Sequence, residues 1–191
     1  MIVQYDNLIP EKTIDKWLYL SKKSFDGRES AQGKSHGRKN HAFLLSDYRN
    51  EPIVELLGNE VHHVGYEFLE RYCRDFPLIG YSVINDLPLK ADFYYRRYGV
   101  GDNYNWHVDK TQQPGHRLLI SILIYLNDDF EGGHTKFLFD KLKIKPKKGS
   151  VLMFPCGPHY IHKSSVITSG YKHVLWNCFF HSALDRRRPP V

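Results

Sequence analysis

Residues 117–126 read RLLISILIYL, an aliphatic and β-branched run interrupted by Ser121 and closed by Tyr125 and Leu126. Gly115 precedes it and Asn127-Asp128-Asp129 follow, so it reads as a strand between turns. Its side chains alternate, which sets Ser121, Leu123 and Tyr125 on one face. Four shorter runs share its texture: ADFYYRRYG (91–99), TKFLF (135–139), GSVLMFP (149–155) and YKHVLWNCFF (171–180). Gly, Asn, Asp and Pro punctuate them. The first half of the chain has a different period. IPEKTIDKWLYLSKKS (9–24) has a Pro near its start and apolar residues at Ile14, Trp17, Leu18 and Leu20, the spacing of a helix. From Pro52, the set Ile53, Leu56, Leu57, Val61, Val64, Phe68 and Tyr72 predicts a second helix, its stripe packed on a sheet. Between them, residues 26–42 are rich in Gly, Ser and charge and read as a mobile loop. Helices followed by strands predict an α+β chain, mainly β, its antiparallel core buttressed by helices on one side.

The chain has 191 residues, 41% hydrophobic and 14% aromatic, enough for one domain with a sizeable core. No stretch approaches the roughly 20 apolar residues of a membrane span. The start, MIVQYDNLIPEKT, lacks the basic and apolar regions of a secretory signal. Cys73, Cys156 and Cys178 have no zinc-type spacing and read as reduced thiols, so an intracellular, cytoplasmic protein without a membrane partner is expected. The net charge of +6 gathers in GKSHGRKN (33–40), DKLKIKPKK (140–148) and DRRRPPV (185–191). Such basicity suits an acidic partner or simply a solvated lysine-rich surface; without an ordered nucleic-acid motif the surface reading is preferred.

Chemistry gathers in YNWHVDKT (104–111) and HYIHKSSVITSG (159–170). In extended chain, residues two apart share a side, so His107 and Asp109 face one centre while Val108 turns into the core. A further imidazole completes two His and one carboxylate on one face of an Fe(II) ion, leaving room for a bidentate oxoacid and O2. His159 and His162 would point to opposite faces of a strand, so one of them joins. Lys172, ten positions beyond His162, favours His162. A cation there would anchor the distal carboxylate of a dicarboxylate, and that ligand would supply a buried lysine with its partner. Tyr125 would donate a second hydrogen bond to the same carboxylate, and Tyr98 and Tyr104 would line the metal end. Gly132 and Gly133 read as a turn capped by Asp128 and Asp129.

The ordered set RRYGVGDNYNWHVDKT (96–111), RLLISILIYLNDDFEGGHTKF (117–137), IKPKKGSVLMFP (144–155) and HKSSVITSGYKHVLW (162–176) resembles the prolyl 4-hydroxylase branch of the Fe(II)/2-oxoglutarate oxygenases. It carries Tyr-Gly with H-x-D, the Y-L-N strand, F-E-G-G, P-x-x-G, and a His with a basic residue beyond, in that family's order. The resemblance implies that His107, Asp109 and His162 are the catalytic metal ligands and that Lys172 holds the 5-carboxylate of 2-oxoglutarate. Tyr125 would assist that carboxylate, and Tyr98 would lie near the metal end of the cosubstrate. The implied fold is a double-stranded β-helix, a distorted jelly roll at 86–182, with 1–85 as helical support and 183–191 as a basic tail. The implied cofactors are Fe(II), 2-oxoglutarate and O2, with ascorbate as a candidate reductant. One departure is His134, where the family commonly has an acid after the paired glycines.

The resemblance implies hydroxylation of a prolyl residue in a peptide or protein, with release of succinate and CO2. A free amino acid or other small molecule is the alternative substrate, and a non-catalytic metal-binding β-barrel module the alternative class. The segment 26–42 is the candidate lid.

Overall fold

A computed structural model of the chain describes residues 1–25, 37–48, 50–84, 92–109 and 116–182. The aliphatic run forms β6 (His116–Tyr125), paired antiparallel with β10 (Val151–Pro155) on one side and β13 (Lys172–Ser182) on the other. These three are the centre of a six-stranded sheet, ordered β1 (Val3–Tyr5), β10, β6, β13, β4 (Tyr94–Tyr98), β3 (His41–Leu44). A second sheet has the order β2 (Arg38–Lys39), β5 (Asn103–His107), β11 (His162–Ser164), β8 (Thr135–Phe137), β9 (Lys143–Ile144). A separate pair joins β7 (Glu131–Gly132) to β12 (Ile167–Ser169). The two larger sheets form the two-layered jelly roll that the sequence predicts.

The central strands are covered on both faces, which explains why β6 reads as an almost unbroken apolar run. Ile120, Ile122 and Ile124 join the core under the helices, together with Leu175 and Phe179 of β13 and Tyr95 of β4. Ile14 and Trp17 of α1 (Glu11–Phe25) and Val54, Leu57, Val61 and Phe68 of α2 (Pro52–Asp75) close that layer. Each helix thus buries one stripe against the sheet, as its sequence period requires. The opposite side chains, Tyr125, Val174, Tyr98, Leu152 and Phe154, meet Phe137 and Ile167 in a smaller core between the sheets. Among the described residues, no helix is long and apolar enough to cross a membrane.

Three features depart from the sequence reading. α3 (Pro77–Ile84) is eight residues without a polar face, too short and too uniformly apolar to display a period. β1 pairs with β10, and β3 with β4, so strands edge the large sheet well before residue 86. Residues 38–39 and 41–42 are paired backbone rather than loop: Arg38 and Lys39 lie opposite Tyr104 and Asn103. Edge strands are short and polar because one side faces water, so they carry little apolar alternation. Residues 26–36 of the candidate lid and the basic tail 183–191 lie outside the described residues.

Candidate metal and oxoacid site

β11 lies beside β5 with His162 directly opposite His107, a cross-strand pair that sets the two imidazoles 4.2 Å apart between centroids. β5 ends at His107, and the chain then brings Asp109 to both rings. Its carboxylate oxygens lie 3.6 Å from His107 Nε2 and 3.8 Å from His162 Nε2. The potential ligand atoms of the three residues all fall within 4.8 Å of one another. Because the strand stops at His107, the alternation expected through Val108 does not continue, and Val108 is half-buried rather than in either core. His159 is exposed in a short 3-10 turn, Pro158–Tyr160, whereas His162 is buried.

Both rings are held in the tautomer that a metal needs. His107 Nδ1 donates to the carbonyl of Asn105 at 2.7 Å and His162 Nδ1 to that of Tyr160 at 3.0 Å, which leaves each Nε2 lone pair facing Asp109. Tyr104 stacks on His107 at 3.4 Å, and Phe154 packs edge-on against His162 at 4.8 Å. Burial lowers the His162 pKa, so the imidazole stays neutral near pH 7. Burial alone would raise that of Asp109, but His162, His107 and a hydrogen bond from Ser121 hold its carboxyl below the ordinary range. The site therefore gathers two imidazoles, His162 held neutral, around one carboxylate.

At the far end of the same cavity stands Lys172, 1% exposed. Its Nζ donates to the carbonyl of Gly133 at 2.7 Å and to Ser164 Oγ at 3.3 Å, and it lies over the rings of Tyr98 and Tyr125 at 5.4 and 5.2 Å. None of these neighbours is an acid. Burial, reinforced by Arg96, pushes the ammonium down to about 7. Tyr125 lies beneath this end rather than among the residues lining the cavity, and its hydroxyl shares a 2.9 Å hydrogen bond with Thr135, which does line it. Tyr98 and Tyr104 both line the cavity.

A model of the 2OG-Fe(II) oxygenase superfamily matches residues 93–181, the span that contains both ends of this cavity. Over these residues the chain is similar to the 2OG-Fe(II) oxygenases. Over 193 aligned residues the chain is 28% identical to a candidate prolyl 4-hydroxylase of Acanthamoeba polyphaga mimivirus, covering 90% of this chain and 71% of that protein. Its fold is also that of the viral collagen prolyl hydroxylase of Paramecium bursaria Chlorella virus-1 in complex with 2OG. That match has a TM-score of 0.69 at 20% identity over 94% of this chain and 95% of the other. A Trichoplax adhaerens prolyl hydroxylase, solved with a hypoxia-inducible-factor peptide, superposes at a TM-score of 0.72 and 13% identity, over 94% of this chain and 83% of that one. All three relatives are described as prolyl hydroxylases or candidates for that activity, and the chain shares the fold of the two solved ones.

The residues present fit the cofactors of that superfamily. The His-Asp-His donor set suits Fe(II), and a buried lysine without an acid suits the distal carboxylate of 2-oxoglutarate. Once bound, the iron and cosubstrate supply oxidative decarboxylation of 2-oxoglutarate coupled to hydroxylation of a substrate C–H bond. A second cluster, Asp109 with Cys156 and Cys178, shares only the carboxylate. Burial raises the Cys178 thiol well above its ordinary range, so it stays protonated and is a poor ligand. Cys178 is therefore core-like, although the fold brings its sulfur to 3.7 Å from that of Cys156.

Several site residues escaped the sequence reading. Ser121 donates to Asp109 at 2.7 Å and accepts from Trp176 Nε1 at 3.1 Å, so it orients the carboxylate from behind. The only signal was a hydroxyl inside an apolar run. Ser121→Ala is expected to weaken Mn(II) binding by roughly 10-fold or more, measured by titration calorimetry, because outer hydrogen bonds of this kind fix ligand orientation.

The paired glycines serve the lysine end. Gly132 has φ +83°, and a Cβ there would meet the Val166 carbonyl oxygen at 2.0 Å; at Gly133 (φ +61°) it would meet Ile167 Cδ1 at 2.5 Å. Gly132→Ala is expected to cost ~3 kcal/mol or more in chemical denaturation, since strain and a backbone clash add.

Proposed function

We propose that His107, Asp109 and His162 hold Fe(II), that Lys172 binds the 5-carboxylate of 2-oxoglutarate, and that the enzyme hydroxylates a prolyl residue of a peptide or protein. The observation that carries the site assignment is one cavity with a tautomer-fixed His-Asp-His cluster at one end and an acid-free buried ammonium at the other. The prolyl reading is supported by the mimivirus relative and by the fold shared with collagen-type and peptide-bound prolyl hydroxylases.

Within this arrangement, the chain's residues position rather than react. The Nδ1 hydrogen bonds fix the orientation of both imidazoles, and Ser121 holds the Asp109 carboxylate. Phe137 and Phe154 pack on the His162 ring and Leu123 lines the cavity, apolar surroundings that strengthen each charge contact. Thr135, backed by Tyr125, stands beside Lys172 as a hydroxyl donor for the same carboxylate.

The test is succinate release from the Fe(II)-loaded enzyme with 2-oxoglutarate, ascorbate and a library of proline-containing peptides, with mass spectrometry for one added oxygen atom. Stimulation by a peptide that gains oxygen on proline is the expected result. If free amino acids stimulate release and no peptide does, the substrate is a small molecule. Full activity in His107→Ala would overturn the metal assignment.

A further inference from the structure

Arg96 is a second buried cation in this cavity, and the oxygenase chemistry leaves it without a counter-charge. It sits on β4 directly opposite Val174, one step along the strand face from the pair Lys172 and Tyr98 and one step short of Trp176 and Tyr94. Only 5% of it is exposed, and it lines the cavity together with Asp109, His162 and Lys172. Its guanidinium lies 3.9 Å from the centroid of the Trp176 ring and 5.7 Å from that of Tyr94, so it leans away from Lys172. Among the described residues no carboxylate pairs with it, and its buried Nε has no hydrogen-bond partner.

Lysine and arginine behave differently in such a place. Lys172, pushed down to about 7, can shed its proton when the cavity is empty. A guanidinium cannot, so Arg96 remains a permanent buried charge, soothed only by an aromatic face. Stacking by its flat face leaves the edge donors free, and those match a carboxylate bidentately.

Charge bookkeeping then identifies the missing ligand. Fe(II), Lys172 and Arg96 carry four positive charges together. Asp109 and the 2-oxoglutarate dianion carry three negative ones. The unbalanced charge belongs to the guanidinium, stacked at the Trp176 end. Lys172 and Trp176 are four strand residues apart, roughly 13 Å, a longer span than the five-carbon cosubstrate bridges between its carboxylates.

We propose that Arg96, stacked on Trp176, is a specificity-determining residue that binds a carboxylate of the substrate, so that this enzyme hydroxylates an anionic substrate. The proposal rests on the oxygenase reading of the site. The carboxylate belongs to an acidic side chain next to the target residue or to the α-carboxylate of a free or C-terminal one.

The experiment measures binding to Mn(II)-loaded protein saturated with N-oxalylglycine, by calorimetry and tryptophan fluorescence. N-acetylproline against N-acetylprolinamide probes the α-carboxylate. N-acetyl-Asp-Pro-amide against N-acetyl-Asn-Pro-amide probes the side chain. One acid is expected to bind roughly tenfold or more tightly than its amide. In Arg96→Met that preference disappears, while N-oxalylglycine affinity falls far less than in Lys172→Met.

Parity of both acid–amide pairs in the unaltered enzyme overturns the proposal. So does a loss of N-oxalylglycine in Arg96→Met as large as in Lys172→Met, which would assign Arg96 to the cosubstrate. If Arg96→Met does not fold, Arg96→Lys reads the same difference, because it keeps the charge and loses the bidentate fork. Failure of the unaltered Mn(II)-loaded protein to bind N-oxalylglycine would instead sink the underlying site reading, with the acid–amide comparison still readable on the metal-loaded protein.

Discussion

Lys172→Met is expected to stabilise the empty protein while removing its affinity for 2-oxoglutarate. The side chain is among the largest fully buried ones, and its ammonium is held down to about 7 by burial and then by Arg96. An unfolded lysine titrates near 10.4. Between these values the unfolded chain carries the extra proton, so stability rises with pH from about 7 to about 10, and the full penalty applies below 7. Methionine is close in shape and carries no charge. At pH 6.5 the variant is expected to gain ~2–4 kcal/mol in denaturant unfolding.

Cosubstrate affinity moves the other way. The loss of a charge-assisted contact in a dry pocket is expected to raise the Kd for N-oxalylglycine by about 100-fold or more. In the unaltered enzyme, binding above pH 7 must first protonate Lys172, so affinity falls by up to about tenfold per pH unit there. Bound metal lowers the lysine further and shifts that fall to lower pH. Calorimetry from pH 6 to 9 reads the slope. A flat profile, or a variant that is destabilised yet still binds, would remove Lys172 from the cosubstrate site.

The other large effect is at the metal. His162→Ala deletes one of the two imidazoles and leaves the Asp109 carboxylate buried without the partner that stabilises it most. Succinate release is expected to fall by about three orders of magnitude, several kcal/mol of transition-state stabilisation. Mn(II) binding, followed by electron paramagnetic resonance, is expected to weaken in parallel. His159→Ala, on the exposed turn three residues earlier, should change neither. Equal losses in the two variants would mean that the structure had been disturbed rather than a ligand removed.

Much of the site was legible because its residues lie in local patterns. H-x-D needs only a strand end, and Lys172 heads a run whose remaining residues pack. Tyr98 and Tyr104, read as cavity residues, line it, whereas Tyr125 lies behind Thr135. Tyr125 points at Thr135, and only the cross-sheet packing of β6 against β8 shows it. In the sequence Arg96 stands beside Arg97 with nothing to set the two apart. It is the alternation of β4, with Arg97 half-buried on the opposite face, that turns it into the cavity.

The amino-acid sequence by itself determined the fold class, since strand runs of period two and amphipathic helices are set by neighbouring residues. It also determined the types of the candidate ligands and their order along the chain. Tertiary structure alone decided that His107 and His162 stand opposite each other, although 55 positions separate them in the sequence. It alone showed that Ser121 backs Asp109 and that two cations share one cavity. Such contacts depend on strand register between distant segments, where a shift by one residue sends each side chain to the other face.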